Sequence, residues 1–347
     1  MLVILGGSSP WTVDLLPRLE ASDVMLVGRD RVALDALRAF VQPRCTLNVH
    51  VSTEPVAALR EATVVLCQAR IGGWAGRQED ESGPARYGGH GDETLGLGGL
   101  RAAIRASRTL AAWARASGQA PVVMLSNPTD LLTRWWGHHS GGRAISACEV
   151  PTELLAGLPT GTRYLGVNHL GWAFTPDGRR VPTRALTSPA SRSPTAPTAH
   201  NQRGRYLARL STELRHTIVT KNQRAFDGLI SLRRPRWYGQ VVAPILGDLL
   251  NRRAFCGVLG LPNDGRLPAL PPDLVVESVS SVHSPDYDLL PRQLVAGVTT
   301  LGRARERAWQ TLKHPSEETL RAFLADDLWS SQVRYSPQLL SWVTDGR

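Results

Sequence analysis

Two side chains able to hold a divalent ion, Cys148 and His169, stand 21 residues apart. Each closes or follows a short apolar run, 143–148 and 164–167, so both are placed at strand ends that can face one crevice. A thiolate and an imidazole make an incomplete metal site. It suits a borderline divalent ion and leaves coordination positions for water or sugar hydroxyls. On spacing alone, a buried core thiol and a hydrogen-bonded histidine are the commoner outcome for such residues. A second chemical signal is Gly6-Gly7-Ser8-Ser9, which follows an apolar run directly and leads into a helical pattern. Backbone N–H groups and a helix start would meet a dinucleotide's pyrophosphate there, although a tight turn that merely caps the helix reads equally well. The next apolar run ends Leu26-Val27-Gly28-Arg29-Asp30, with Gly28 where an acid would bind ribose hydroxyls. Arg29 can pair with a 2′-phosphate, which leaves NAD and NADP both open, and Asp30 can cap the following helix.

The elements that must position these residues alternate along the first 130 positions. The apolar runs LVIL, VMLVG, VVLCQA and PVVML are separated by helical patterns over VDLLPRLE, VALDALRAFV and RAAIRASRTLAAWARA. This rhythm predicts a Rossmann-type doubly wound parallel sheet over 1–150, followed by an α+β catalytic domain over 151–347. The overall architecture would then be like that of lactate and malate dehydrogenases. A further strand, RAISAC, precedes a helix beginning near Pro151. The stretch 186–201 is rich in Ser, Thr, Pro and Ala and reads as a flexible loop. Beyond it come helical patterns over RYLARLSTELRHTI and QVVAPILGDLL, apolar runs CGVLGL and DLVVESVSSV, and two C-terminal helices.

Composition narrows the class. The chain has 347 residues, is 42% apolar and 20% charged, and is long enough for two packed cores. Its start lacks a basic leader and a cleavage site, no run of about 18 apolar residues occurs, and four cysteines lie at wide, irregular spacings. A cytoplasmic protein with reduced thiols and no membrane span is expected. The charge of +10 comes mostly from scattered arginines without an aromatic-interleaved basic stripe, so nucleic acid is not the expected partner.

Between Arg70 and Arg105 the chain reads RIGGWAGRQEDESGPARYGGHGDETLGLGGLRAAIR, too rich in glycine for a helix by composition. The pattern R-x-G-G, R-x-x-D-E, Y-G, G-Q-E-T, G-x-G-G resembles the signature of glycoside hydrolase family 4. It is carried here by Arg70, Gly72, Gly73, Arg77, Asp80, Glu81, Tyr87, Gly88, Gly91, Glu93, Thr94, Gly96, Gly98 and Gly99, with Asp92 in place of the family's Gln. Gly6-Gly7 with Ser9 and Thr12, Asn127-Pro128, Cys148 with Pro151, Arg236-Trp237-Tyr238 and 262–265 follow in family order. Asn168-His169-Leu170-Gly171-Trp172 is similar to the 6-phospho-β-glucosidase branch.

The resemblance implies a hydrolase of (6-phospho-)β-glucosides that recycles NAD, with NADP as the alternative, and uses manganese or another divalent ion. Cleavage would proceed by oxidation at carbon 3, metal-assisted proton loss at carbon 2, elimination and addition of water, outside the two-carboxylate scheme of most glycosidases. Cys148 and His169 would hold the metal. Gly6, Gly7, Ser8, Ser9, Arg29 and Glu93 would bind the cofactor. Arg77, Asn127 and Asn168 would bind or orient the sugar, with Arg70 beside them. Arg77 could instead pair with Asp80 or Glu81, and Asn127 could only shape its turn. Tyr238 is the candidate base. A free phenol titrates near 10, so it needs a nearby cation, for which Arg233, Arg234 and Arg236 are at hand. Glu149 is the second candidate, either as acid on the leaving oxygen or as an electrostatic anchor. A small sugar or sugar phosphate is the expected partner, and a homo-dimer or tetramer the expected assembly. The alternatives are a net NAD(P)-dependent sugar oxidoreductase and a lapsed sugar or nucleotide sensor.

Overall fold

The structure, a computed structural model, describes residues 1–345 apart from 22, 157, 182–198, 234–236, 252–254, 282–291, 328 and 331. Six parallel strands come first: β1 (Leu2–Leu5), β2 (Asp23–Val27), β3 (Asn48–Ser52), β4 (Val64–Cys67), β5 (Val122–Met124) and β6 (Ala144–Ser146). They lie in the order β3-β2-β1-β4-β5-β6, the doubly wound order of dinucleotide-binding sheets. The sheet then continues without a break through antiparallel strands β10 (Cys256–Pro262), β11 (Val275–Ser281), β7 (Arg163–Val167), β8 (Leu170–Phe174) and β9 (Arg180–Val181).

All four residues of β1 are fully buried, because a parallel sheet is covered on both faces and alternate side chains serve opposite layers. Leu2 and Ile4 join a core completed by Leu210, Leu214, Trp237 and Leu246, while Val3 and Leu5 join one completed by Trp309, Phe323 and Trp342. Both apolar layers of the parallel half therefore draw on side chains from beyond residue 200. No helix among the described residues is long and apolar enough to cross a membrane.

The structure differs from the sequence reading in five places. The strand β3 escaped notice because it is short and its Asn48 and His50 are exposed at a sheet edge. The first helix spans only Thr12–Leu15 before Pro17 enters a tighter turn over Leu16–Arg18, so the expected helix over VDLLPRLE is broken at the proline. Three C-terminal helices are present, Arg292–Lys313, Glu317–Asp326 and Pro337–Thr344, where two were expected. Of the proposed loop 186–201, most lies outside the described residues, and its last three begin the helix Ala199–Val219.

The glycine-rich segment is the fifth difference: it forms the helix Gly73–Ser82 and the start of the helix Gly96–Ser117. Glycine is unfavourable in an isolated helix, but here backbone approach outweighs propensity. A Cβ on Gly98 would sit 2.2 Å from the carbonyl oxygen of Asp80 and 2.3 Å from that of Asp92. Gly98→Ala is therefore expected to lose about 1–3 kcal/mol in urea unfolding, the usual range for overpacking. Gly228→Ala, in an exposed helical position with nothing within 4 Å, should gain up to about 1 kcal/mol. Equal stability of Gly98→Ala and the parent would show that the helices do not pack backbone to backbone.

Candidate functional site

The strand order reverses between β1 and β4, and a cavity of about 860 Å3 opens beyond their carboxyl ends. Gly6, Ser8, Ser9 and Arg29 line its one part, and Arg77, Glu93, Asn127, Cys148, Glu149 and Tyr238 the other. Three candidates stand behind its wall: Gly7, Asn168 and His169, the last two nearly or fully buried. Gln68, just after β4, ties the two strand ends together by donating to the Gly6 carbonyl (3.2 Å) and to Thr12 Oγ1 (2.8 Å).

At the nucleotide end the turn satisfies itself. The N–H groups of Gly6 and Gly7 both donate to the Val27 carbonyl, at 2.9 and 2.8 Å, and Ser9 N–H donates to Gly6. The amides of Gly6, Gly7 and Ser9, expected to meet a pyrophosphate, are thus engaged within the fold. What faces the cavity is the bare Gly6 backbone at φ +80 and the side chains of Ser8 and Ser9. Gly7 has a packing role, since a Cβ there would lie 2.8 Å from Leu26. Asp30 caps the helix Arg31–Val41 by accepting from Ala33 N–H at 3.0 Å.

Cys148 follows β6, and His169 is the second residue of a two-residue turn joining β7 to β8. Asn168 and His169 both have positive φ (+46 and +69), as tight hairpins of this length require. That conformation is uncommon for histidine, and strain of this kind tends to sit at functional sites. It brings His169 Nε2 to 3.5 Å from Cys148 Sγ. Behind the ring, Glu277 of β11 holds Nδ1 at 3.4 Å and accepts from the His169 N–H at 2.9 Å. Burial opposes protonation of this imidazole, but Cys148 and Glu277 outweigh it and hold the ring well above its usual range.

The donor set fits a metal ion. A sulfur and a nitrogen bound to one tetrahedral ion at ~2.3 and ~2.1 Å lie ~3.6 Å apart, close to the observed separation. A carboxylate backing the distal nitrogen is the usual partner of a metal-binding histidine. Asn168 adds a buried Oδ1 with no hydrogen-bond partner, while its Nδ2 donates to the Thr94 carbonyl at 2.7 Å. Among the described residues no third His, Cys, Asp or Glu joins the pair, so an ion here keeps open positions.

Across the cavity, Tyr238 opens a π-helical turn, Tyr238–Val242, of the kind that often marks functional positions. The Arg233 guanidinium lies 5.1 Å from its ring centroid and 4.3 Å from that of Trp11. Burial pushes the phenol up to about 12, and Glu149 adds to this, while Arg233 and Arg70 oppose it. The expected cation is thus present but shared. Arg233 also grips Glu149 through two contacts (3.2 and 2.8 Å), and Arg203 reaches the same carboxylate at 2.8 Å. Arg234 and Arg236 lie outside the described residues. Both carboxylate oxygens of Glu149 are engaged by arginines, which favours the anchor role over the acid role.

Glu93 does not present itself to a nucleotide: its carboxylate meets Arg70, Arg77 (2.9 Å) and Asn127 Nδ2 (3.0 Å). It acts as a hub that fixes three polar side chains at the cavity wall. Arg77 also pairs with Glu81 at 2.6 Å, while Asp80 pairs with Arg101 and Arg105. One guanidinium nitrogen of Arg77 remains buried without a partner. Glu277, Arg203 and Arg215 were missed from the sequence. Only Glu277 left a signal, an acid in the middle of a buried apolar strand.

Residues 3–158 match the model of the family 4 glycosyl hydrolases. It is 27% identical over 195 residues to the 6-phospho-beta-glucosidase BglT of Thermotoga maritima (49% of this chain, 46% of that protein). It is 28% identical over 201 residues to 6-phospho-alpha-glucosidase 1 of Lacticaseibacillus paracasei (49% and 45%). The chain spans about half the length of the curated relatives it matches. In three dimensions it superposes on the T. maritima 6-phospho-beta glucosidase solved with manganese, NAD+ and glucose-6-phosphate. The TM-score is 0.78 with 19% identity, covering 99% of this chain and 97% of that one, and establishes likeness of fold.

Proposed function

We propose that this chain is a glycosidase of the 6-phospho-β-glucosidase type, dependent on NAD, with NADP as the alternative, and on manganese or a similar divalent ion. The Cys148–His169 pair backed by Glu277, beside the cavity that Tyr238 lines, is the observation that carries this reading. The relatives' names span both anomers, and the 168–172 motif supports the β-linkage. Residues 1–150 would serve the nucleotide and 151–347 the catalytic groups.

When bound, the nicotinamide supplies hydride transfer from and back to sugar carbon 3, and the ion acidifies the proton at carbon 2. Cys148 Sγ and His169 Nε2 would hold that ion, with Glu277 fixing the ring's aim. Tyr238 Oη accepts the carbon 2 proton as the glycosidic oxygen departs. Arg70, Arg77 and Asn127, tied by Glu93, present donors to the sugar, and Asn168 Oδ1 supports the shell around His169. Glu149 anchors Arg203 and Arg233 at the cavity wall.

Aryl glucosides with and without a 6-phosphate, supplied with NAD, manganese and a thiol reductant, test the proposal when aglycone and NADH are followed together. Aglycone without net NADH is expected. Stoichiometric NADH would replace the hydrolase with an oxidoreductase, and binding without turnover would leave a sensor. Glu149→Gln refines the same test. Loss of the anchor should slow all aryl leaving groups alike and, because Glu149 raises the Tyr238 phenol, move the acid limb of kcat to lower pH. A loss confined to poor leaving groups would restore the acid role.

A further inference from the structure

We infer that the nucleotide end of the cavity is built for a 2′-phosphorylated dinucleotide, with Arg29 and Arg215 holding the extra phosphate. This rests on the cavity being a dinucleotide site and concerns which dinucleotide it takes. In sheets of this order an acid at the end of the second strand binds the ribose hydroxyls and repels a 2′-phosphate. Here that position is Gly28, and little space is left for anything larger: a Cβ would lie 3.3 Å from Ser8 Oγ and 3.4 Å from Leu34. The nearby acid, Asp30, is engaged in capping its helix.

Arg29 lines the cavity, is exposed, and has no ion pair among the described residues. Arg215 on the helix Ala199–Val219 shares all three properties. The two ends of that helix serve different parts of the cavity. Gly204 abuts the Arg77 guanidinium and Arg203 pairs with Glu149. Arg215 lies about 16 Å further along at the helical rise of ~1.5 Å per residue. There the helix packs on Arg31–Val41, the helix that starts directly after Arg29 and Asp30: Leu210 and Leu214 share a core with Leu34 and Leu37, and Gln223 just beyond donates to the Phe40 carbonyl at 3.3 Å.

Charge points the same way. The lining carries six arginines against two glutamates, and both glutamates are already paired, Glu93 with Arg70 and Arg77 and Glu149 with Arg203 and Arg233. Among the described residues, the lining charges left without an ion pair are Arg29 and Arg215, both positive. A phosphate monoester of about two negative charges is what such a pair recognises, by charge-assisted and fork-shaped hydrogen bonds.

Direct binding of NAD and NADP to the parent, Arg29→Ala, Arg215→Ala and Arg29→Asp, by calorimetry without sugar, decides the matter. NADP should bind at least tenfold more tightly than NAD in the parent. Each alanine variant should remove most of that ratio by weakening NADP alone, and Arg29→Asp should reverse it. NAD binding as tightly as NADP, or a preference that neither arginine variant alters, overturns the inference and leaves the dinucleotide reading standing. Failure of both nucleotides to bind overturns the two together.

Discussion

Tyr238→Phe is expected to lose roughly a hundred- to ten-thousand-fold in kcat, the range associated with removing a positioned general base, while cofactor and sugar affinities hold. The substitution deletes one oxygen and keeps the ring, whose packing against Arg233 is by its face (5.1 Å). A base acts on a proton that leaves only on the way to elimination, so its loss belongs to the chemical step and not to ground-state binding. The phenol, pushed up to about 12, is protonated at neutral pH in the free protein, so parent turnover should rise with pH. The variant should lack that limb. Substrate deuterated at carbon 2 separates the possibilities: the parent should exchange the label with solvent and Tyr238→Phe should not. Near-parent turnover by the variant, with no exchange in the parent, would rule out both this base and the elimination route.

His169→Ala and Cys148→Ser should each abolish metal-dependent turnover and weaken manganese binding by at least about a hundredfold, since losing even a supporting partner of a metal ligand costs about ten- to a hundredfold. Glu277→Gln should fall in that lower range, because it leaves both donor atoms in place and loosens only the aim of the ring. The fold should survive. Neither donor belongs to the main apolar cores, and the hairpin that holds His169 is paired along five positions of β7 and β8. Manganese titration followed by electron spin resonance, beside thermal unfolding without metal, reads both quantities. Parent-like activity of His169→Ala at saturating manganese would end the metal assignment.

The parallel half of the sheet was legible in the sequence because strands buried on both faces read as unbroken apolar runs such as LVIL and VVLC. The helices of the glycine-rich segment were not. Local propensity counts glycine against a helix, while the reason for glycine at 98, the carbonyls of Asp80 and Asp92, is visible only once the chain is folded. Cys148 and His169 were found by motif, yet spacing says nothing of the partner that aims the ring, 108 residues further on in another strand. The hydrogen bonds of Gly6 and Gly7 were hidden for a related reason, since the Val27 carbonyl that takes up their N–H groups comes from a different strand. Sequence named most of the residues that meet at the site, Arg233 among them; Arg203 and Arg215 reach the cavity from a segment that bears no motif.

The shared cores also bear on the order of events at the ribosome. While the first 150 residues are synthesised, Leu2 and Ile4 on one face and Val3 and Leu5 on the other have only part of their cover. Leu210 to Leu246 complete the first layer only later, and Trp309 to Val343 complete the second later still. Half-made sheets with bare apolar faces are the species most prone to associate wrongly. A fragment ending at residue 150 would thus bare part of both faces, and the late helix Pro337–Thr344 ties back to the glycine-rich segment, with Trp342 donating to Glu79 at 2.7 Å.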